Sequence, residues 1–204
     1  MKSYIGTLII ALSLVSLPFR PLNGQSPEKN VFNWTSFGVG GFFDDTYTRI
    51  TDTQNGISLY LRTDWQMISK IETPQGIKER NNNLAIRFIN HFQNIHESKI
   101  LRHYDLGLLY GKTLGTVLQL NFSGGIGIIG GKYEETIYPD LSKPNPGGIT
   151  YVDKSYFGFN VPFEAGLSIV PAKKFGIGFS AFANLNSQKS INGFVLKLEF
   201  GERR

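Results

Sequence analysis

Apolar and polar positions alternate without a break along residues 56–66, GISLYLRTDWQ. Ile57, Leu59, Leu61, Thr63 and Trp65 fall on one side of an extended chain, and Ser58, Tyr60, Arg62, Asp64 and Gln66 fall on the other. A period of two predicts a strand. Seven further extended runs carry the same signal: 34–43, 83–93, 101–111, 116–131, 156–170, 175–186 and 192–200. Outside residues 4–17 no segment has helical periodicity. The links include DDTYTRITDTQN after the first run, ETPQGIKERN after the second, a tight turn at Leu114–Gly115, a long stretch from Tyr133 to Ser155, PAKK (171–174) and SQKSI. Two even-numbered links are very short and the longest is odd-numbered. Tight turns at one rim and longer loops at the other are the rhythm of an up-and-down barrel. The fold expected is all-β: an eight-stranded antiparallel up-and-down transmembrane β-barrel.

The two faces differ in bulk. One carries Leu84, Ile86, Phe88 and Phe92; Tyr104, Leu106, Leu108 and Tyr110; Leu118, Leu120, Phe122, Ile126 and Ile128; Phe157 to Ile169 at alternate positions; Phe175 to Leu185 likewise; and Phe194, Leu196, Leu198 and Phe200. The other carries glycines, serines, asparagines and a few charges of both signs. An eight-stranded barrel has room for only a modest interior set. The small, polar side therefore fits the lumen and the bulky side fits lipid. A closed barrel also pairs every backbone group within a bilayer. A soluble lipocalin-like periplasmic carrier would need the opposite assignment.

Composition agrees. Of 204 residues 41% are apolar and only 18% charged, with 23 glycines and 13% aromatics, as in a turn-rich β chain. Cysteine is absent, which excludes disulfides and thiolate metal sites. The net charge of +5 is dispersed, so a nucleic-acid partner is not expected. Met1-Lys2 followed by YIGTLIIALSLVSL and two prolines reads as a signal peptide over 1–24, cleaved after Gly24. A short N-terminal segment (25–33) and a barrel domain (34–204) would follow, and loss of Lys2 and Arg20 brings the charge from +5 to near +3.

The terminal run NGFVLKLEF, with Gly193, Leu196, Leu198 and an aromatic close at Phe200, resembles the final strand of the small eight-stranded outer-membrane β-barrels of Gram-negative bacteria, the OmpA/OmpX-like group. That resemblance covers 34–200. It implies a porin-like barrel of the cell envelope in the outer membrane, partnered by lipid, lipopolysaccharide and, through its last strand, the barrel-assembly machinery. The chain continues past the aromatic as GERR, and Pro162 inside the sixth run calls for a bulge.

No catalytic, cofactor or metal residue is assigned. GIGIIG (125–130) matches G-x-G-x-x-G, but a proline-rich stretch follows where a dinucleotide site needs a helix. His91, His96 and His103 flank the link between the third and fourth runs. A hairpin centred on Glu97 would place His91 opposite His103, two ligands short of a closed metal site. Arg62, Asp64, Arg87, Asp105, Glu164, Lys197 and Glu199 share the polar side, where they would fill and fix the lumen. Trp65, Tyr110, Phe175 and Phe200 near one set of strand ends, and Phe43, Tyr47, Phe92, Tyr104, Tyr133 and Phe157 near the other, fit two interfacial aromatic belts. The 133–155 loop is the candidate contact for an external partner. The function expected is non-enzymatic, structural or surface-interacting. The enzymatic alternative is a lipid A acyl hydrolase or acyltransferase, for which His96-Glu97-Ser98 supplies residue types in an unsuited local arrangement.

Overall fold

The computed structural model describes residues 30–45, 54–73, 76–95, 99–137, 148, 150–172, 174–187 and 190–201. The proposed signal segment, most of 138–149 and the last three residues, 202–204, lie outside them. Eight strands follow in chain order: β1 (Asn30–Asp45), β2 (Gln54–Thr73), β3 (Gly76–Ile95), β4 (Lys99–Leu114), β5 (Leu118–Ile137), β6 (Thr150–Ala172), β7 (Phe175–Leu185) and β8 (Ser190–Gly201). Each pairs antiparallel with its sequence neighbours, and β8 pairs with β1 to close the barrel. No sheet edge is left around the wall, as a lipid-facing β structure requires.

The partners of Asn33 can be followed round the wall through Trp65, Leu84, Tyr110, Gly124, Phe163, Ala183 and Asn192. The path returns to β1 at Phe43, a stagger of ten residues. Such a stagger accompanies strands tilted to the barrel axis, and it sets the lumen's width.

The strands outrun their sequence-based limits. β1 starts at Asn30, ahead of the expected boundary at 34. β2 and β3 pair down to Thr73 and Gly76, so most of ETPQGIKERN is strand rather than loop. The largest correction concerns 133–155: Tyr133–Ile137 and Thr150–Ser155 are paired strand, from Tyr133 opposite Lys154 to Ile137 opposite Thr150. Local pairing within a hairpin continues wherever both arms can exchange hydrogen bonds, whether or not neighbouring strands reach so far. With these limits all three even-numbered links are short.

No bulge occurs at Pro162. The β5–β6 register is the same below it (Gly124 opposite Phe163) and above it (Gly127 opposite Asn160), with only the two intervening pairs missing. Proline removes one donor and the ladder skips it without inserting a residue. The register shift falls instead between Ile169 and Ala172, where β6 bends into the turn to β7.

The outward face is the bulky one. Phe159, Leu196 and Phe179 are 85%, 64% and 46% exposed, while Arg62 and Lys197 are 2% and 4%. Three outward glycines lie beneath aromatic rings: Gly41 under Phe194, Gly124 under Phe163 and Gly130 under Tyr104. A ring laid over a glycine's bare backbone covers ladder that would otherwise face the hydrocarbon directly.

Candidate functional site: the filled lumen

The alternation of each strand delivers its polar set to the axis. All seven charged residues assigned to the lumen are buried: Arg62, Asp64, Arg87, Asp105, Glu164, Lys197 and Glu199. They sort into three pairs and a hub. Arg62 grips Asp64 in a fork, Nε to Oδ2 at 2.8 Å and Nη2 to Oδ1 at 2.6 Å. Arg87 Nη2 donates to Asp105 Oδ2 at 2.7 Å. Lys197 Nζ lies 3.0 Å from Glu199. Glu164 stands between the three, 3.1 Å from Arg62, 3.6 Å from Arg87 and 3.8 Å from Lys197. It also accepts a hydrogen bond from Tyr60 Oη at 2.8 Å.

Polar neighbours complete the network and cross the lumen. Asn160 Nδ2 donates to Asp105 at 2.8 Å, and Asn83 Nδ2 donates to Asp64 at 3.0 Å. Arg62 Nη1 donates to Ser123 Oγ at 3.1 Å, and Ser168 Oγ donates to Glu199 at 2.9 Å. Arg87 also donates to the Asn184 side chain and lies over the Phe182 ring. Seven strands, β2 to β8, are thus tied through the axis. A charge inside a barrel is tolerable only when paired in this way.

Above this layer, toward the rim of the odd-numbered links, the lumen is apolar. Phe42, Tyr60, Ile89, Ile129, Tyr156, Phe182, Ile191 and Val195 form one cluster. Leu109 is also fully buried. The expectation of a small, polar interior missed this layer, although a signal was present. Phe42-Phe43, Leu108-Leu109 and Ile128-Ile129 are apolar doublets, and on a strand one member of each doublet must point inward.

His91 and His103 are directly opposed on β3 and β4, as a hairpin about Glu97 requires, and both are buried in this apolar layer. His91 Nδ1 is hydrogen-bonded to Ser58 Oγ at 2.8 Å, and His103 Nδ1 to Tyr156 Oη at 3.1 Å. The Phe42 ring meets His91 edge-on at 4.8 Å. Ser58–His91 has the residue types of a nucleophile and base. Both side chains are fully buried, and the acids of the lumen are engaged with Arg62, Arg87 and Lys197. His96 and the His96-Glu97-Ser98 trio lie outside the described residues, and no group of three metal-ligating side chains occurs among those described. The GIGIIG glycines are part of β5. Gly125 and Gly127 are packed so closely on β4 that a Cβ would strike the carbonyls of Leu108 and Leu106.

At the tight-turn rim the charged layer ends in a polar recess of about 20 Å³ beside Trp34, Gln66, Gln119, Lys197 and Glu199. That is room for about one water molecule.

Of the aromatic belts, Phe175 and Phe200 meet at the tight-turn end with ring centroids 5.5 Å apart, and Phe43, Tyr104 and Phe157 are exposed toward the other end. Tyr47 lies outside the described residues.

A closed barrel of eight strands, bulky outside and ion-paired within, defines the class of small membrane-spanning β-barrels. The chain has the fold of the small eight-stranded outer-membrane barrels, and solved structures of that kind superpose on it. The attachment invasion locus protein Ail of Yersinia pestis is 12% identical, with a TM-score of 0.55 over 84% of this chain and 99% of that one. The same protein bound to the heparin analogue sucrose octasulfate gives 0.53 at 12% identity over the same shares. Neisserial surface protein A gives 0.55 at 9% identity over 85% of this chain and 99% of that one. These are bacterial outer-membrane proteins, and at such identities the likeness is one of fold. No family model and no curated protein matches the sequence.

Proposed function

We propose that this protein is a non-enzymatic outer-membrane barrel, closed to conduction, that meets a partner outside the cell through the β5–β6 hairpin. The observation that carries the reading is the height of that hairpin over its neighbours. The β4–β5 ladder ends at His103 opposite Gly131, and the β6–β7 ladder ends at Val161 opposite Leu185. Beyond them β5 and β6 continue as a pair to Ile137 and Thr150. Among the described residues no strand pairs with the β7-facing edge of β6 before Val161. The Asn186 side-chain amide donates to the Phe159 carbonyl at the first step of that edge. A raised hairpin edge that no described strand covers can take up an extended segment of another protein, while a filled, ion-paired barrel supports the hairpin beneath. Charged side chains at Lys132, Asp153 and Lys154 are exposed on it.

Two measurements test this. Folded protein extracted from the membrane fraction in detergent should migrate faster on a denaturing gel unboiled than boiled, and should give no steps of conductance in a planar bilayer. The absence of cysteine permits single-cysteine labelling. With a membrane-impermeant maleimide on intact cells, Ser155→Cys should label and Val117→Cys, in the β4–β5 turn, should not. Labelling in the opposite sense would overturn the orientation, and channel activity would overturn the closed lumen.

A further inference from the structure

On the outward wall, small residues gather at one place. On β5, β6 and β7 the neighbouring outward positions Gly124, Ala165, Ala181 and Ala183 carry at most a methyl group, and they floor an apolar groove of about 570 Å³. Its walls are Tyr110, Phe122 and Phe163, each about half exposed. The cause is local. The Phe163 ring leans over Gly124, its partner on β5. It thereby vacates the space above Ala183, its partner on β7. A cross-strand row runs from Lys112 on β4 through Phe122 and Ala165 to Ala181. Lys112 faces outward at the tight-turn end of β4, two residues before that strand's last residue, Leu114. It is an exposed cation on the same strand and face as the groove wall Tyr110 and directly opposite the wall Phe122, and a long side chain there reaches the membrane surface.

We propose that this groove binds one acyl chain of an anionic glycerophospholipid from the leaflet at the tight-turn rim, with the lipid phosphate paired to Lys112. A groove inside the hydrocarbon band is filled by hydrocarbon, and its shape selects a chain held in place over one exchanging freely. The cation beside its mouth selects the headgroup charge. The proposal rests on the membrane-barrel reading, and the test separates the two.

Folded, heat-modifiable protein is released from detergent into a native mass spectrometer with equal amounts of phosphatidylglycerol and phosphatidylcholine. The expected spectrum shows one retained phosphatidylglycerol per chain. Ala165→Leu with Ala181→Leu fills the groove and, on a lipid-facing wall, leaves the barrel foldable. It should cut retention about tenfold, the equivalent of roughly two methylene contacts. Lys112→Gln should keep retention of a lipid but lose the preference for phosphatidylglycerol. Equal retention by wild type and the double variant, a random ladder of adducts, or a protein dimer that the double variant abolishes would each overturn the proposal. If the protein shows no heat-modifiable folded form, the failure belongs to the membrane-barrel reading instead.

Discussion

Arg87 and Asp105 are both fully buried and 2.7 Å apart, which makes them the sharpest probe of the lumen. Arg87→Leu leaves the buried Asp105 carboxyl without its cation, with the hydrogen bond from the Asn160 amide retained. It also strips a donor from Asn184 and from the Phe163 carbonyl. Breaking a buried pair from one side costs roughly 3–5 kcal/mol. Asp105→Leu should cost less, about 2–3 kcal/mol, the worth of charged hydrogen bonds, because Arg87 retains Glu164 at 3.6 Å. Removing both partners takes away the uncompensated charge along with the attraction. The double variant should therefore lie within about 2 kcal/mol of wild type, a coupling of at least about 3 kcal/mol. The assay is reversible urea unfolding in phospholipid vesicles, followed by the fluorescence of Trp34 and Trp65, the only tryptophans. An unchanged slope allows the midpoint shift to be read as stability. If the double variant loses the sum of the two single losses, the pair is not coupled and the charge network is not held as described.

Three further outcomes are expected. Leu196→Arg puts a charge on the lipid wall and should lower stability by about 2–4 kcal/mol in the same assay; an unchanged midpoint would place that face out of the hydrocarbon. Gly115 turns the β4–β5 link at φ 89°, so Gly115→Ala should cost about 1–3 kcal/mol, read as a lower urea midpoint. Gly40→Val should prevent β1 from closing on β8, because a Cβ there would stand 1.7 Å from the Phe194 carbonyl oxygen. The fast-migrating gel form should disappear, whereas Gly148→Val, with nothing within 4 Å, should keep it.

The number of strands, their antiparallel order and the face each presents were legible from alternation alone. Tyr60, Arg62 and Asp64 point inward and Leu59 outward as the period of two demands, because successive side chains of a strand must take opposite sides. The opposition of His91 and His103 was legible too, since a hairpin's register follows from its turn. The strand ends were not. Residues 133–137 and 150–155 look like loop in composition, and their pairing comes from the opposite arm. Pro162 reads as a ladder breaker, yet its neighbours hold the register across the gap. The inward members of the doublets, Phe42, Leu109 and Ile129, were also missed, because doublets break the alternation that reveals the faces.

The sequence by itself determined a two-faced ribbon of eight strands with bulk on one side and charge on the other. Each of those features is local and repeats every two residues. Only closure decided which residues meet. The stagger of ten residues brings Glu164 among Arg62, Arg87 and Lys197 and sets Tyr60 against Glu164 from 104 residues away. Those contacts join strands that are not neighbours in the chain. They depend on the tilt and circumference of the finished barrel, which no single strand encodes.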